Sequence, residues 1–255
     1  EYRFFKDKNI DKFESIVLRS SADDQVYTLF RDAAAQLILA QDADAEYQAY
    51  RPSVVYINGV YWGIHNIREK INEHYLASNY NVDKDNISLL ETSSSETSIV
   101  MTGSSDDYES MISYISNNDM SDNTNYSYVQ TLMDVDNFIN YQIGHIFFAE
   151  EDWPHGNVRY WKANSGSGIY AKWHWINYDM DGSLFSYKIT YDKLKMAIGD
   201  SVSWQNPEWS TLILRNFLKN TNFKNLFIQR FAYLLSTIYD SSKVISIIDS
   251  LQSNI

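Results

Sequence analysis

Apolar and polar positions alternate so as to divide the chain into a sheet-rich first part and a helical second part. FESIVLR, residues 13–19, is short with β-branched residues at its centre, and predicts a buried strand. SSADDQ then supplies capping residues ahead of VYTLFRDAAAQLILAQ, which predicts a helix over 26–41. In RPSVVYINGVYWGIHNIREK, two apolar, aromatic-rich runs flank Asn58-Gly59, the strongest short-range signal for a tight hairpin turn. A helix over 71–79 is expected next, then a short strand in NISLLE. The small, hydroxyl-rich run 92–105 predicts a disordered surface loop at a lobe boundary.

Beyond it, DDYESMISYISNN has the spacing of one amphipathic helix. SYVQTL and DVDNFINYQIGHIFFAEE predict another helix or pair, ending close to Asp152. The second stretch is apolar nearly all round toward its end, as expected of the central helix of a helical lobe. VRYWKA and IYAKWHWINYDMDGSLF read as two strands around the Gly/Ser turn NSGSG, the second ending in a carboxylate-bearing loop. WSTLILRNFLKN, FKNLFIQRFAYLLSTIY and SKVISIIDSLQ complete the chain as helices. No repeat at a fixed period occurs, and the sum is an α+β fold with a sheet-containing N-terminal part and a helical C-terminal part.

At 255 residues the chain can bury a sizeable core without disulfides, and a 44% hydrophobic content places it outside the disordered class. Its net charge of −12 argues against a nonspecific electrostatic hold on nucleic acid or anionic lipid. The absence of cysteine excludes Cys-metal sites and leaves the compartment open. No run of about 18 apolar residues marks a membrane span. The opening residues EYRFFKDKN show neither an initiator Met nor an apolar signal core, as expected of a piece of a longer polypeptide.

The chemistry concentrates in EEDWPHGNVRYWK and WHWINYDMD. Asp152 precedes Asn157 by five residues, and Asp179 and Asp181 end the second aromatic strand. In phosphoryl transfer one Asp positions the acceptor hydroxyl, an Asn five residues on binds a divalent ion, and a further Asp beyond a hairpin links metal to phosphates. DxxxxN and DxD are each ordinary in turns, where Asp and Asn cap helices or close Asx-turns, so neither motif is specific alone. What favours function is the place: carboxylates cluster where buried aromatic strands end, and unpaired charge there is costly. The five histidines show no zinc spacing, and the tryptophans at 62, 153, 161, 173 and 175 fall in strands or tight loops where core packing is the common use.

RPSVVYINGVYWGIHNIREKINEHYL, FESIVLRSSADD, LFRDA, EEDWPHGNVRYWK and KWHWINYDMDGSLF together resemble the spore-coat CotH kinase family, over residues 4–185. The resemblance implies a divergent, two-lobed protein-kinase-like fold, here one domain over 1–255 with lobes at 1–105 and 106–255. It implies transfer of the ATP γ-phosphoryl group, with Mg²⁺ or Mn²⁺, to Ser or Thr of secreted or coat proteins. Asp152 then takes the catalytic role, and Asn157 with Asp179 or Asp181 the metal roles. Glu151 stands where many relatives have Asn, and LRSSADD replaces the usual LRNSGND, departures that touch substrate positioning.

There is no GxGxxG or P-loop, so cations must meet the phosphates. Arg19, Arg31 and Arg68 or Lys70 are the candidates, with Glu69 as a lysine's partner; for 68–70 the alternative is a helix start with surface ion pairs. The expected partners are Ser/Thr-bearing proteins, the chain's own 92–105 loop among them, and further domains of a longer bacterial parent. The expected setting is extracellular, at the cell surface or spore coat. Two other readings of the same carboxylates stay open: a noncatalytic interaction or adhesion module, and a metal-dependent phosphoester hydrolase.

Overall fold

The computed structural model describes residues 3–41, 45–93, 98–185, 190–199 and 202–255. It is an α+β protein with two sheets and, among the described residues, nine α-helices. The predicted first strand forms as β1 (Ile16–Arg19), shorter than expected. The next helix, α1 (Arg31–Leu39), starts five residues later than the sequence pattern indicates. The cause is Asp24: its carboxylate accepts from Thr28 N at 3.1 Å, Thr28 Oγ1 at 2.5 Å and Arg31 N at 2.9 Å. Those bonds hold 24–31 in a turn with Leu29 at φ 69, a conformation no α-helix contains.

After the two-residue β2 (Glu46–Tyr47) come β3 (Tyr50–Ile57) and β4 (Val60–Glu69), the predicted hairpin. Asn58 and Gly59 both take positive φ, 51 and 81, as a two-residue turn of the primed kind demands. β4 lies between β3 and β1 in a three-stranded antiparallel sheet. β1 covers only Asn66 to Glu69 of β4, so the hairpin's far end projects without a neighbour. Trp62 is therefore 62% exposed, against the core role expected for it. The other four tryptophans of that set are almost fully buried, as expected.

Asn72 caps α2 (Glu73–Tyr80), accepting from Tyr75 N. Then β5 (Ile87–Thr92) pairs with β6 (Ile99–Thr102), so part of the stretch expected to be a loop is a strand. The β-branched Ile99 and Val100 suit that pairing, and of the hydroxyl-rich run, 94–97 lie outside the described residues. α3 (Asp106–Asn117) and α4 (Asn123–Val129) lead to α5 (Val135–Phe147), capped by Asp134 and buried over nearly its whole surface. β7 (Val158–Ala163) and β8 (His174–Asn177) complete a five-stranded sheet in the order β2-β8-β7-β5-β6, parallel only at β2-β8. That sheet draws strands from both sides of Ser105.

Alternation along this sheet separates two cores. Leu90, Tyr160 and Trp175 face the helices, where Phe138 of α5 meets Trp175 edge-on at 4.8 Å. Leu89, Trp161 and Ile176 face α2 and Tyr80. Each such large apolar side chain contributes about 1.5–3 kcal/mol when fully buried. The chain ends in α6 (Lys193–Ile198), α7 (Leu212–Phe217), α8 (Thr221–Ser236) and α9 (Ser241–Gln252). Leu251 of α9 packs back onto Phe30, Ala33 and Ala34 at the start of α1. No described helix is long and apolar enough to cross a membrane.

Candidate active site

Two loops meet at one place. The first leaves α5 and carries Asp152 and Asn157; the second leaves β8 and carries Asp179 and Asp181. Backbone bonds join them: Glu151 N donates to Gly182 O at 3.2 Å, and Leu184 N to Phe148 O at 2.9 Å. Glu150 stiffens the first loop by accepting from Trp153 N at 2.6 Å. Gly182 suits the approach, because a Cβ there would stand 2.4 Å from Glu150 Oε1 and 3.2 Å from Glu151 N. Asn157 and Asp179 adopt left-handed φ of 56 and 53, which Asn and Asp tolerate better than other residues.

Within this frame Asn157 Nδ2 donates to Asp152 Oδ2 at 3.4 Å and to Asp179 O at 3.3 Å. Among the described residues its carbonyl oxygen accepts no hydrogen bond. Arg19, at the end of β1, reaches across with Nη2 to Asp179 Oδ1 and, at 2.9 Å, to Asp181 Oδ2. Its Nη1 lies 3.4 Å from Asp32 Oδ2. Arg31 donates to the Asp181 carbonyl at 3.3 Å and stacks over Phe185 at 4.0 Å. Asp152, Asn157, Asp179, Asp181, Arg19 and Arg31 thus come together from three distant parts of the chain.

Glu69 and Lys70 do not join them. Strand alternation turns Glu69 to the opposite face from Arg68, where its carboxylate pairs with Lys8 at 2.6 Å and accepts from Asn79 at 2.9 Å. Lys8, not Lys70, is its lysine partner; Lys70 is exposed beyond the end of β4. Arg68 and Glu69 are buried strand residues, 1% and 2% exposed, and so belong to no helix start.

Three groups that sequence reasoning passed over complete the site. Asp32 accepts from Arg68 Nη1 at 2.6 Å, Met180 N at 2.8 Å and Gln36 Nε2 at 2.6 Å, tying β4 and α1 to the second loop. Burial opposes its charge, yet Arg68 and Arg19 hold its pKa below the usual carboxylate range. Glu150 is wholly buried; desolvation, with Asp152 beside it, pushes its pKa up to about 8. Lys193 sits 3% exposed at the start of α6, with Nζ 5.7 Å from the Trp153 ring. Of these, only Asp32 carried a signal, as a carboxylate beside Arg31 at the start of an otherwise apolar helix.

Burial and mutual repulsion act on the carboxylates of this cluster. Burial, with Asp179 adjacent, pushes Asp181 up to about 6 against the pull of Arg19. Burial likewise raises Asp152, opposed by His155 and reinforced by Asp179. Among the described residues, no three His, Asp or Glu side chains are grouped closely enough to form a metal site unaided. The donors present are carboxylate and carboxamide oxygens, the hard ligands that suit Mg²⁺ or Mn²⁺ rather than zinc.

Compared with known families, residues 2–255 match the one described as CotH kinase protein. The chain belongs to the CotH kinase family. No curated protein matches it. Membership supports a kinase-like, phosphotransferase function at the level of the family.

Proposed function

We propose that the chain is a metal-dependent protein kinase that transfers the γ-phosphoryl group of ATP to Ser or Thr of secreted or surface proteins. One observation carries the reading: Asp152, Asn157, Asp179 and Asp181 converge with Arg19, although β1 and the two loops are far apart in sequence. A scaffold would place no chemical demand on that convergence. The spore-coat or cell-surface setting is proposed from the family, and the chain's own hydroxyl-rich run 92–105 is proposed as one acceptor from its composition.

Asp152 is half-buried with its carboxylate beside Asn157, and in this reading it accepts a hydrogen bond from an acceptor hydroxyl and orients its oxygen. Asn157, Asp179 and Asp181 would hold the divalent ion. When bound with ATP, that ion supplies neutralisation of charge on the transferring phosphoryl group. Arg19 already neutralises Asp179 and Asp181, and would share the same task at the phosphates, with Arg31 behind it. Asp32 holds Arg19 and Arg68 in place.

Thermal unfolding of the full chain with and without Mg-ATP tests the binding half of this reading. A ligand at 100 times its Kd adds about 2.7 kcal/mol of stability. The shift is expected in the wild type and should vanish in Asp179→Asn/Asp181→Asn. A wild type without a shift under Mg²⁺ or Mn²⁺ would favour an interaction module, and release of free phosphate without protein labelling would favour a hydrolase.

A further inference from the structure

Two exposed apolar pairs stand beside the carboxylate cluster, one near Asp152 and one near Asp181. Trp204, 71% exposed and followed back along the chain by the exposed Val202, meets His155 edge-on with the rings 5.0 Å apart. His155 lies three residues after Asp152 and interacts electrostatically with its carboxylate. Tyr27, 65% exposed next to the exposed Val26, packs edge-on against Phe185 at 5.8 Å. Phe185 in turn carries the Arg31 guanidinium, which donates to the Asp181 carbonyl, while Asp23 N donates to Asp181 Oδ2 at 3.1 Å. Segments far apart in sequence thus bring large apolar side chains to the rim of one polar site.

Hydrogen bonds fix both pairs in this exposed position. Asp24 pins the turn that bears Val26 and Tyr27: its carbonyl accepts from Tyr27 N at 3.0 Å, and its carboxylate accepts from Thr28 N and Arg31 N. Trp204 lies in a turn closed by Ser203 N to Asn206 O at 3.1 Å, and the buried Asn206 anchors that turn through Nδ2 to Met196 O at 2.8 Å. A large apolar side chain held in water contributes little to the fold, because hydrophobic stabilisation requires removal from water. It does favour docking, since a rigid aromatic loses little conformational freedom on contact. The neighbouring carboxylates and the net charge of −12 disfavour an anionic lipid surface as the partner.

We propose that these two pairs receive large apolar side chains of the acceptor segment, close in sequence to the phosphorylated Ser or Thr, so that the site selects hydroxyls in an apolar setting. The assignment rests on the protein-kinase reading above, which brings the acceptor hydroxyl to Asp152 and lays the rest of its segment across this rim. It gives the site a preference in its protein substrate that the carboxylate cluster alone does not supply.

Docking is tested without catalysis by fluorescence anisotropy of labelled serine peptides of equal charge, bearing either Leu and Phe or only Gly at the flanking positions, added to the full chain without nucleotide. The Leu/Phe peptide should bind about tenfold more tightly, the scale of covering one large apolar side chain. Trp204→Ser and Tyr27→Ser, at exposed positions outside the core, should each reduce that ratio, and the double variant should bring it near one. Trp62→Ser, similarly exposed at the hairpin's far end, should leave the ratio as it is. Equal binding of the two peptides, a preference that survives the double variant, or one lost in Trp62→Ser would overturn the proposal, as would Trp204-dependent binding to phosphatidylcholine vesicles without any peptide preference. Phosphorylation of the same peptides with γ-labelled ATP and Mg²⁺ or Mn²⁺ then tests the acceptor role, with a lower KM expected for the Leu/Phe peptide in the wild type and that advantage lost in the double variant. Both peptides phosphorylated with equal KM would overturn the proposal and leave the kinase reading standing. Preferential binding of the Leu/Phe peptide with neither peptide phosphorylated would overturn the acceptor assignment through failure of the kinase reading.

Discussion

Asp32 ties β1, β4 and α1 to the second loop, and its removal tests that dependence. Its carboxylate, with 6% of the side chain exposed, is shared by Arg68 at 2.6 Å and Arg19 at 3.4 Å while also accepting from Met180 N. Arg68 has only 2% of its side chain exposed, so Asp32→Asn leaves a buried guanidinium without its counter-charge. Breaking one side of such a pair costs about 3–5 kcal/mol. Against a total of about 5–15 kcal/mol for an ordinary domain, the variant should be marginal. Asn keeps an oxygen for Met180 N, so the loss reports charge and not the missing loop contact. Urea unfolding of the wild type, Asp32→Asn, Arg68→Met and the double variant measures it. The double variant should be more stable than Asp32→Asn by at least about 2 kcal/mol, since no unpaired charge remains. A loss for Asp32→Asn below about 1 kcal/mol, the scale of an exposed pair, would refute the argument.

Other consequences are as direct. Gly182→Ala drives a Cβ to 2.4 Å from Glu150 Oε1 and should cost about 1–3 kcal/mol in urea unfolding, with phosphoryl transfer reduced alongside. Gly59→Ala, at φ 81, should lower stability by about 1–2 kcal/mol in the same assay, with nucleotide binding unchanged. His174 faces Glu46 at 3.1 Å and Asp134 at 3.8 Å; burial lowers its pKa, but Glu46 more than compensates and the net shift is upward. A raised basic pKa stabilises the fold below the unfolded value of about 6.5, and that contribution fades as pH rises through the folded value. Stability should therefore fall above about pH 6.5, and His174→Gln should flatten that part of the pH profile.

Much of this architecture is legible along the chain because it depends on local patterns. Asn58-Gly59 fixes its hairpin through backbone preference alone, and the apolar surface of α5 announces a central helix. The order of helix, Asp152 loop, hairpin and Asp179 loop could be read because each step is short. What could not be read are partnerships between distant segments. Lys8 meets Glu69 across 61 positions, and Arg19 meets the Asp181 carboxylate across 162. No periodicity encodes such pairs, so Lys70 was the nearer but different choice for Glu69. The start of α1 escapes the pattern for a related reason: Asp24 looks like a cap, yet its carboxylate bonds forward to Arg31 N and delays the helix. Trp62 is expected in the core because it falls in a strand, whereas its exposure at the hairpin's end depends on how far β1 extends.

The central claim is that Asp152 and the metal-seeking carboxylates form a phosphoryl-transfer centre. It is tested most directly by incubating the full chain with γ-labelled ATP and Mg²⁺ or Mn²⁺, beside Asp152→Ala, and measuring label bound to protein. The account predicts label on the wild type, reduced about 10²–10⁴-fold by the substitution. Equal labelling of the two proteins, or none on the wild type with either metal, would contradict it.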